Sequence, residues 1–526
     1  MSVSMPTKTV GVKGATVWTD TCSPLLDYSL GAVRGASDAT IQKILGVQDP
    51  ELAFVAAFHV RNVRGGKGER DIFKKTMQAL YTRYPDLTLD LLDLVPHYGC
   101  WNDLFDLAKE FPPFRARILK FAAITLLTDA TADKDLSLCA KWAPRERKGA
   151  APVDSYLLKD LAKILFPDIQ KHETRMAEYR RLVACLNRRL KTVETFMSGG
   201  KWAEIVPSSV PGRAGSLYSR ALLNLKSTYQ GGLVRLNHEE SRALRKPDNP
   251  DRMACRKHFV EYFAFASASA SASGIKGADT LYPHEIVRKA LKCNMSPAEA
   301  DQIVAIWNAM VAKVKAAGTY LEDCEVMCDF SGSMRQGHHD GIPFFVSLAL
   351  GVLISEVTGK NRILTFDSEP RWHHFPEGNL LIKLGSISEY LGQGTSTDFQ
   401  KAYNLIVEDK QAPSFVLVLT DMNFDQARGS ETQTHAEMAK AMFQRIGEEA
   451  PVLGIWNLAA NPTDIQATAN EEGVVLLSGW SPTQFTVLQQ EGLRSVTPME
   501  LLRKELEAPQ YDRVRDRMRM QLDYSI

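Results

Sequence analysis

The hydrophobic pattern changes period near residue 320, and this change limits the fold more than any other feature. Up to that point apolar residues recur at helical spacing. Beyond it, short apolar runs of strand length alternate with helical ones. Residues 324–328 read as a strand ending on Asp329, followed by a strongly apolar helix over 342–357. Strands over 362–366, 415–419, 452–456 and 474–477 follow, with helices over 398–407 and 437–448 between them. Short strands alternating with helices give a parallel sheet covered on both faces, a doubly wound α/β domain assigned to residues 319–526. In such sheets ligands sit beyond the carboxyl ends of the strands.

The chain has 526 residues, too many for one hydrophobic core, so a second domain is required. Residues 36–318 read as all-α. Leu52, Val55, Ala56, Phe58 and His59 share a helical face, as do Ile72, Met77, Leu80 and Tyr81. Turn-rich pieces such as Arg64-Gly65-Gly66-Lys67-Gly68 and Pro112-Pro113 separate short helices, a rhythm that suits stacked HEAT-like hairpins. Residues 1–35 are expected to form an arm of short extended segments, and 266–274, rich in Ala and Ser, a low-complexity linker. Ser296 caps a helix whose third position is Glu299, and Tyr282-Pro283 opens the one before it.

Charge is divided unevenly. Residues 321–526 hold 17 Lys/Arg against 29 Asp/Glu, a balance of −12. The totals of 63 and 62 leave 46 against 33, or +13, in residues 1–320. A basic half suggests a polyanion such as RNA; the plainer alternative is attraction between the two halves. No run of about 18 uncharged apolar residues is present, so no membrane span is expected. The N-terminus lacks a signal-peptide core, and the eight cysteines lie singly apart from Cys324 and Cys328. A reducing, cytoplasmic setting without structural zinc is the expectation.

Three polar clusters fall at strand ends or helix starts. Asp329, Ser331 and Ser333 follow the first strand, Thr395 and Thr397 lie in a Gly-containing segment before a helix, and Asp421 ends a later strand. Carboxylates and hydroxyls are hard oxygen ligands for Mg²⁺ first, with Mn²⁺ or Ca²⁺ as alternatives. So few protein ligands leave room for water and one outside carboxylate, the natural offering of a protein partner.

This pattern resembles the metal-ion-dependent adhesion site of von Willebrand factor A domains, with Asp329, Ser331, Ser333, Thr395 and Asp421 at its five positions. The resemblance implies direct coordination by the serines and the threonine, with the aspartates often acting through water. Thr397 competes with Thr395, and Asp398 and Asp425 are neighbours of the second rank. In the helical half, the stretches 58–71 and 98–104, together with Lys141-Trp142, Lys201-Trp202 and Tyr282-Pro283-His284, resemble TROVE-type proteins. A helical region joined to a C-terminal A domain is similar to the Ro ribonucleoprotein family. It is closer still to a sister family described only as a domain of unknown function. The resemblance implies RNA on the basic half, contacted by Arg61, Arg64, Lys67, Arg70, Lys141, Arg145, Arg147, Lys148, Arg188, Arg189 and Lys191 through phosphates. Trp101, Trp142 and Trp202 are candidates for stacking on bases.

Enzymatic readings are weaker. His338-His339 and His373-His374 are adjacent pairs, whose side chains diverge on a helix or strand, and both are taken as surface loop residues. Gly65-Gly66-Lys67-Gly68 lacks the phosphate-loop frame and reads as a turn between helices. The expectation is a non-enzymatic RNA-binding scaffold with a metal-dependent docking domain. A protein-only scaffold and a metal-dependent nuclease are its alternatives.

Overall fold

The computed structural model describes residues 7–146, 152–226, 244–268, 275, 277–291, 295–318, 323–335, 341–366, 369–387, 398–409, 412–426, 432–460, 462–488 and 493–523. It joins an N-terminal helical region to a C-terminal mixed α/β sheet, as the change of period requires. The N-terminal arm holds an antiparallel hairpin of β1 (Lys8–Val10) and β2 (Thr16–Trp18). It also contains a helix absent from the sequence reading, α1 (Pro24–Gly31), capped by Ser23. Five of its eight residues are buried, so it forms part of the core.

The helical half runs through α2 (Pro50–Arg61), α3 (Arg70–Arg83), α4 (Trp101–Glu110), α5 (Pro112–Thr131), α6 (Pro152–Leu165) and α7 (His172–Leu190), each packed on the next where the chain turns back. Asp49 starts α2 by accepting the amides of Glu51 and Leu52, with Pro50 at the first helical position. Then follow α8 (Pro250–Ala268), α9 (Pro283–Ala290) and α10 (Pro297–Ala316). Ser296 and Glu299 make the expected reciprocal cap of α10. α8 runs to Ala268, three residues into the expected linker, and 269–274 lie outside the described residues.

The sheet has the order β5-β4-β3-β6-β7-β8, from β3 (Cys324–Asp329), β4 (Arg362–Phe366), β5 (Arg371–His374), β6 (Phe415–Thr420), β7 (Val452–Asn457) and β8 (Val474–Ser478). All pairs are parallel except β4 with β5. Successive side chains of β6 take opposite faces. Val416 and Val418 join Phe399 and Ala402 of α13, whereas Leu417 and Leu419 join Leu348 and Leu353 of α11. Here α11 is Ile342–Val357, α12 Leu380–Ile387, α13 Phe399–Glu408 and α14 His435–Arg445. α11 is apolar all round because α9 and α10 of the helical half cover the side turned away from the sheet. It lies so close to β3 that a Cβ at Gly351 would stand 2.3 Å from the Cys328 sulfur.

The ends of the chain cross over. Trp18 N–H donates to the Ile465 carbonyl at 2.8 Å, and Lys8 pairs with Glu437 at 2.7 Å, fixing the arm to the α/β half. In return, the last helices, α15 (Pro498–Leu506) and α16 (Asp512–Asp523), pack on α2. Tyr511 stacks on Tyr98 with ring centroids 5.8 Å apart, and its hydroxyl lies 2.9 Å from His59 Nδ1. No described helix is long and apolar enough to cross a membrane.

Two further elements differ from the sequence reading. His373-His374 was expected in a surface loop but lies in the edge strand β5. His373 faces inward there, 9% exposed, with Nε2 3.1 Å from the Ser386 hydroxyl, while His374 is exposed. The helix expected from Glu437 begins at His435, because Thr434 accepts the Glu437 amide as its cap. His338, His339 and Asp340 lie outside the described residues.

Candidate metal site at the carboxyl edge of the sheet

After β3 the chain moves to β4 on one side. It then returns to β6 on the other, so the crevice between β3 and β6 is where the winding reverses. Asp329 ends β3 and Asp421 follows β6, which places both carboxylates at this crevice. Asp329 is fully buried; its Oδ1 accepts the Ser331 amide at 2.9 Å and its Oδ2 accepts the Thr420 hydroxyl at 2.8 Å. Thr420 therefore positions the carboxylate from the neighbouring strand. It stands directly before Asp421 in the sequence, a signal that was overlooked. The hydroxyls of Ser331 and Ser333 are 3.0 Å apart and share one side of the loop. Asp421 Oδ1 accepts the Asn423 amide at 3.1 Å across Met422, whose φ is +63°.

Burial, with Asp421 adding its negative field, pushes the Asp329 carboxyl up to about 7. Among the described residues no cationic side chain lies within salt-bridge distance of either carboxylate. Asp464 adds a third, more distant acid. Burial raises its pKa, Asp421 contributes to the rise, and its Oδ2 is buried without a hydrogen-bond partner among the described residues. Its Oδ1 accepts the Val12 amide of the N-terminal arm at 3.2 Å, so the arm runs past this edge. Nothing in the local sequence marks Asp464.

The described residues suit a hard divalent cation: two carboxylates without a cationic partner among them, and two aligned hydroxyls. Among the described residues no group of three or more His, Cys, Asp or Glu side chains could hold a metal ion. Thr395 and Thr397 fall outside the described residues. Asp398 is occupied as the cap of α13, accepting the Lys401 amide at 2.9 Å. The Asp425 carbonyl lies 3.0 Å from His435 Nε2.

The cations expected on RNA divide into two groups. Arg61 is 3% exposed; its Nε and one terminal nitrogen each donate to Asp103 Oδ2 at 2.7 Å. Lys67 is 1% exposed, donating to the Ser29 carbonyl and, at 2.7 Å, to the Ser478 hydroxyl. There it caps the C-terminal carbonyls of α1, where positive charge is favoured. Burial lowers its pKa to about 8, against the opposing pull of Glu505 and Glu69. Both are committed inside the protein and do not reach a phosphate. Arg70, partly exposed, pairs with Asp103 at 2.7 Å, and Arg64 donates to the His97 carbonyl at 2.8 Å.

The second group lies on and beside α7. Arg188 and Lys191 are exposed, with no side-chain partner among the described residues. Arg189 caps the end of α5 through the Asp129 carbonyl, 3.0 Å away. Lys141 pairs with Glu194 at 2.9 Å, and Arg145 is exposed with a bond to the Ala140 carbonyl. Arg147 and Lys148 lie outside the described residues. Trp101 is core, stacked on Phe121; Trp142 is 38% exposed; Trp202 lies under the Arg252 guanidinium, 3.6 Å from its ring centre.

A family described as a domain of unknown function (DUF7788) matches residues 323–519. The chain is similar to an uncharacterized protein of Acanthamoeba polyphaga mimivirus, 26% identical over 497 residues, which make up 88% of this chain and 80% of that protein. Among solved structures it is similar to the crystal structure of the RO (RSR) protein of Deinococcus radiodurans. That match is 16% identical with a TM-score of 0.46, covering 89% of this chain and 99% of the other.

Proposed function

We propose that this protein is a non-enzymatic RNA-binding scaffold whose α/β half docks an acidic protein partner through a divalent cation. The pair of buried carboxylates at the reversal crevice carries the reading. Asp329 and Asp421 repel one another without a neighbouring cation, and Ser331 and Ser333 turn two hydroxyls to the same place. A Mg²⁺ ion held there offsets that repulsion, and coordination positions left by so few protein ligands accept water or a partner's Glu or Asp. Thr395 is proposed as a further ligand on its resemblance alone. RNA is assigned to the helical half, on the exposed Arg188 and Lys191 with Arg145 beside α7, and on Arg64 elsewhere on that half.

The ion pairs between the two halves favour RNA over simple attraction between the halves. Lys8 pairs with Glu437, but Arg517 with Asp90 and Asp93, and Arg519 with Glu51, bring positive charge from the acidic half to the basic one. Among the described residues, few cations of residues 1–320 are paired with acids of the other half, Lys8 with Glu437 and Lys67 beside Glu505 among them.

A salt titration of binding to single-stranded and duplex RNA, with and without EDTA, tests both parts. Binding that weakens steeply with salt, ignores EDTA and falls in an Arg188→Glu/Lys191→Glu variant is the expected result. Asp329→Ala should keep RNA affinity and lose Mg²⁺ binding measured by calorimetry. Absence of RNA binding at low salt sinks the RNA assignment, and undiminished Mg²⁺ binding by Asp329→Ala sinks the metal site.

A further inference from the structure

A second site lies in the helical half, away from the sheet edge. An open cleft of about 640 Å³ is lined by Trp202, Tyr218, Arg245, Lys246, Asn249 and Arg252, with Glu194 and Asp251 also on its walls. The 19-residue helix α8 begins there. Asn249 caps it by accepting the Arg252 amide at 2.9 Å, so the positive end of the helix dipole lies at the cleft.

Arg252 supplies the independent observation. It is 5% exposed, sits on the Trp202 ring, and spends one terminal nitrogen on the Ala221 carbonyl at 2.6 Å. Its Nε is buried without a hydrogen-bond partner, and no carboxylate pairs with it among the described residues. Asp251 and one oxygen of Glu194 are engaged elsewhere, while Glu194 Oε2 is buried without a hydrogen-bond partner among the described residues. Asp251 accepts the Trp202 and Ala203 amides, each at 2.8 Å, and Glu194 holds Lys141 at 2.9 Å and the Tyr218 hydroxyl at 3.3 Å. Arg245 and Lys246 are exposed on the rim, and neither has an ion-pair partner among the described residues. A buried guanidinium without a counter-ion is costly, and an incoming anion removes that cost.

We propose that this cleft binds the phosphate of a nucleotide, with Arg252, Lys246 and Arg245 around the phosphate and Trp202 and Tyr218 as walls for the base. The volume suits a ligand of that size. A free nucleoside monophosphate and the phosphorylated end of an RNA carry the same chemistry. RNA binding on α7 is measured separately, with RNA lacking terminal phosphates.

The test is calorimetry on the full chain with inorganic phosphate, AMP, and one short RNA in 5′-phosphorylated and 5′-hydroxyl forms. Phosphate and AMP should compete for one site, and Arg245→Ala/Lys246→Ala should weaken AMP at least about ten-fold without moving the melting temperature. Arg252→Gln should weaken it as much; if that variant unfolds, the rim variant carries the test alone. Phosphorylated RNA that binds at least about ten-fold tighter than AMP assigns the site to an RNA end. Equal or weaker binding assigns it to the free nucleotide. The proposal is overturned if phosphate and AMP do not bind and the two RNA forms bind alike, or if the rim variant binds AMP as the natural chain does.

Discussion

His284 shows what burial does to a single titratable side chain. It is 3% exposed, lies edge-on to Trp480 at 5.2 Å and stacked with Tyr282 at 5.4 Å, and its Nδ1 has no partner among the described residues. Burial holds it neutral, and the positive fields of Arg34, Arg288 and Arg213 push the same way, lowering its pKa to about 3. In the unfolded chain it takes a proton near pH 6.5, so the unfolded state binds more protons between those values. Its neutral form therefore contributes stability above pH 6.5 that is lost as pH falls toward 3. His284→Gln removes this dependence. The stability gap between the natural chain and the variant should shrink by about 2 kcal/mol from pH 7 to pH 5 in denaturant titrations. A gap that stays constant would show that the imidazole is not held neutral. The same scale explains which cations misled. Arg61 and Arg70 read as phosphate contacts, yet both end on Asp103, forty and thirty-odd positions along the chain. Gly99 is small because a Cβ there would meet the Asp103 carboxylate at 2.1 Å. Long-range pairing of this kind leaves no local signature; the Asp-x-Ser-x-Ser loop does, because its three donors are neighbours in sequence.

At the scale of elements, legibility followed burial pattern. β3, β6, β7 and β8 are buried along their whole length; β6, β7 and β8 show as apolar runs, while β3 also buries Glu325, paired with Arg362 at 2.7 Å. β5, Arg371–His374, has polar residues and one neighbour, and only its antiparallel pairing with β4 makes it a strand. α16 is a different case. Asp512–Asp523 is highly charged, yet it is anchored by Tyr511, Val514 and Met518, all at most 1% exposed, and by Arg517 against Asp90 and Asp93. A chain ending at Ala508 loses these three side chains, each stabilising by about 1.5–3 kcal/mol, and strips His59 and Asn62 of the Tyr511 hydroxyl. Its thermal unfolding should move down by several degrees or more, with α2 exchanging its amide hydrogens faster. A melting curve that matches the full chain would show that α16 adds nothing to the fold.

For the molecule as a whole, the period change near residue 320 marks where helices give way to strands, but the two halves are not separate bodies. The arm hands Trp18 and Lys8 to the α/β half, and the last helices return to α2. Asn457, at the end of β7, donates to the Leu30 carbonyl at 2.9 Å, and Ser478, at the end of β8, donates to the Ser29 carbonyl at 2.8 Å. The sheet edge near β7 and β8 is thus filled from the N-terminal side, while the β3–β6 crevice holds Asp329 and Asp421, the proposed metal ligands. α11 supplies the apolar counterpart: α9 and α10 cover it, and the fully buried Trp307 donates from its indole to Glu356 at 3.2 Å. Cutting this junction exposes large apolar faces on both sides, more than a stable monomer tolerates. Residues 1–318 and 319–526 expressed separately should aggregate or fail to give a cooperative melt. Produced together, they should associate one to one and stay together on dilution, as read by size exclusion with light scattering. A soluble, cooperatively melting 319–526 monomer would mean that the crossed ends are ornament. In that case Mg²⁺ binding at the proposed site could be measured on the α/β half alone.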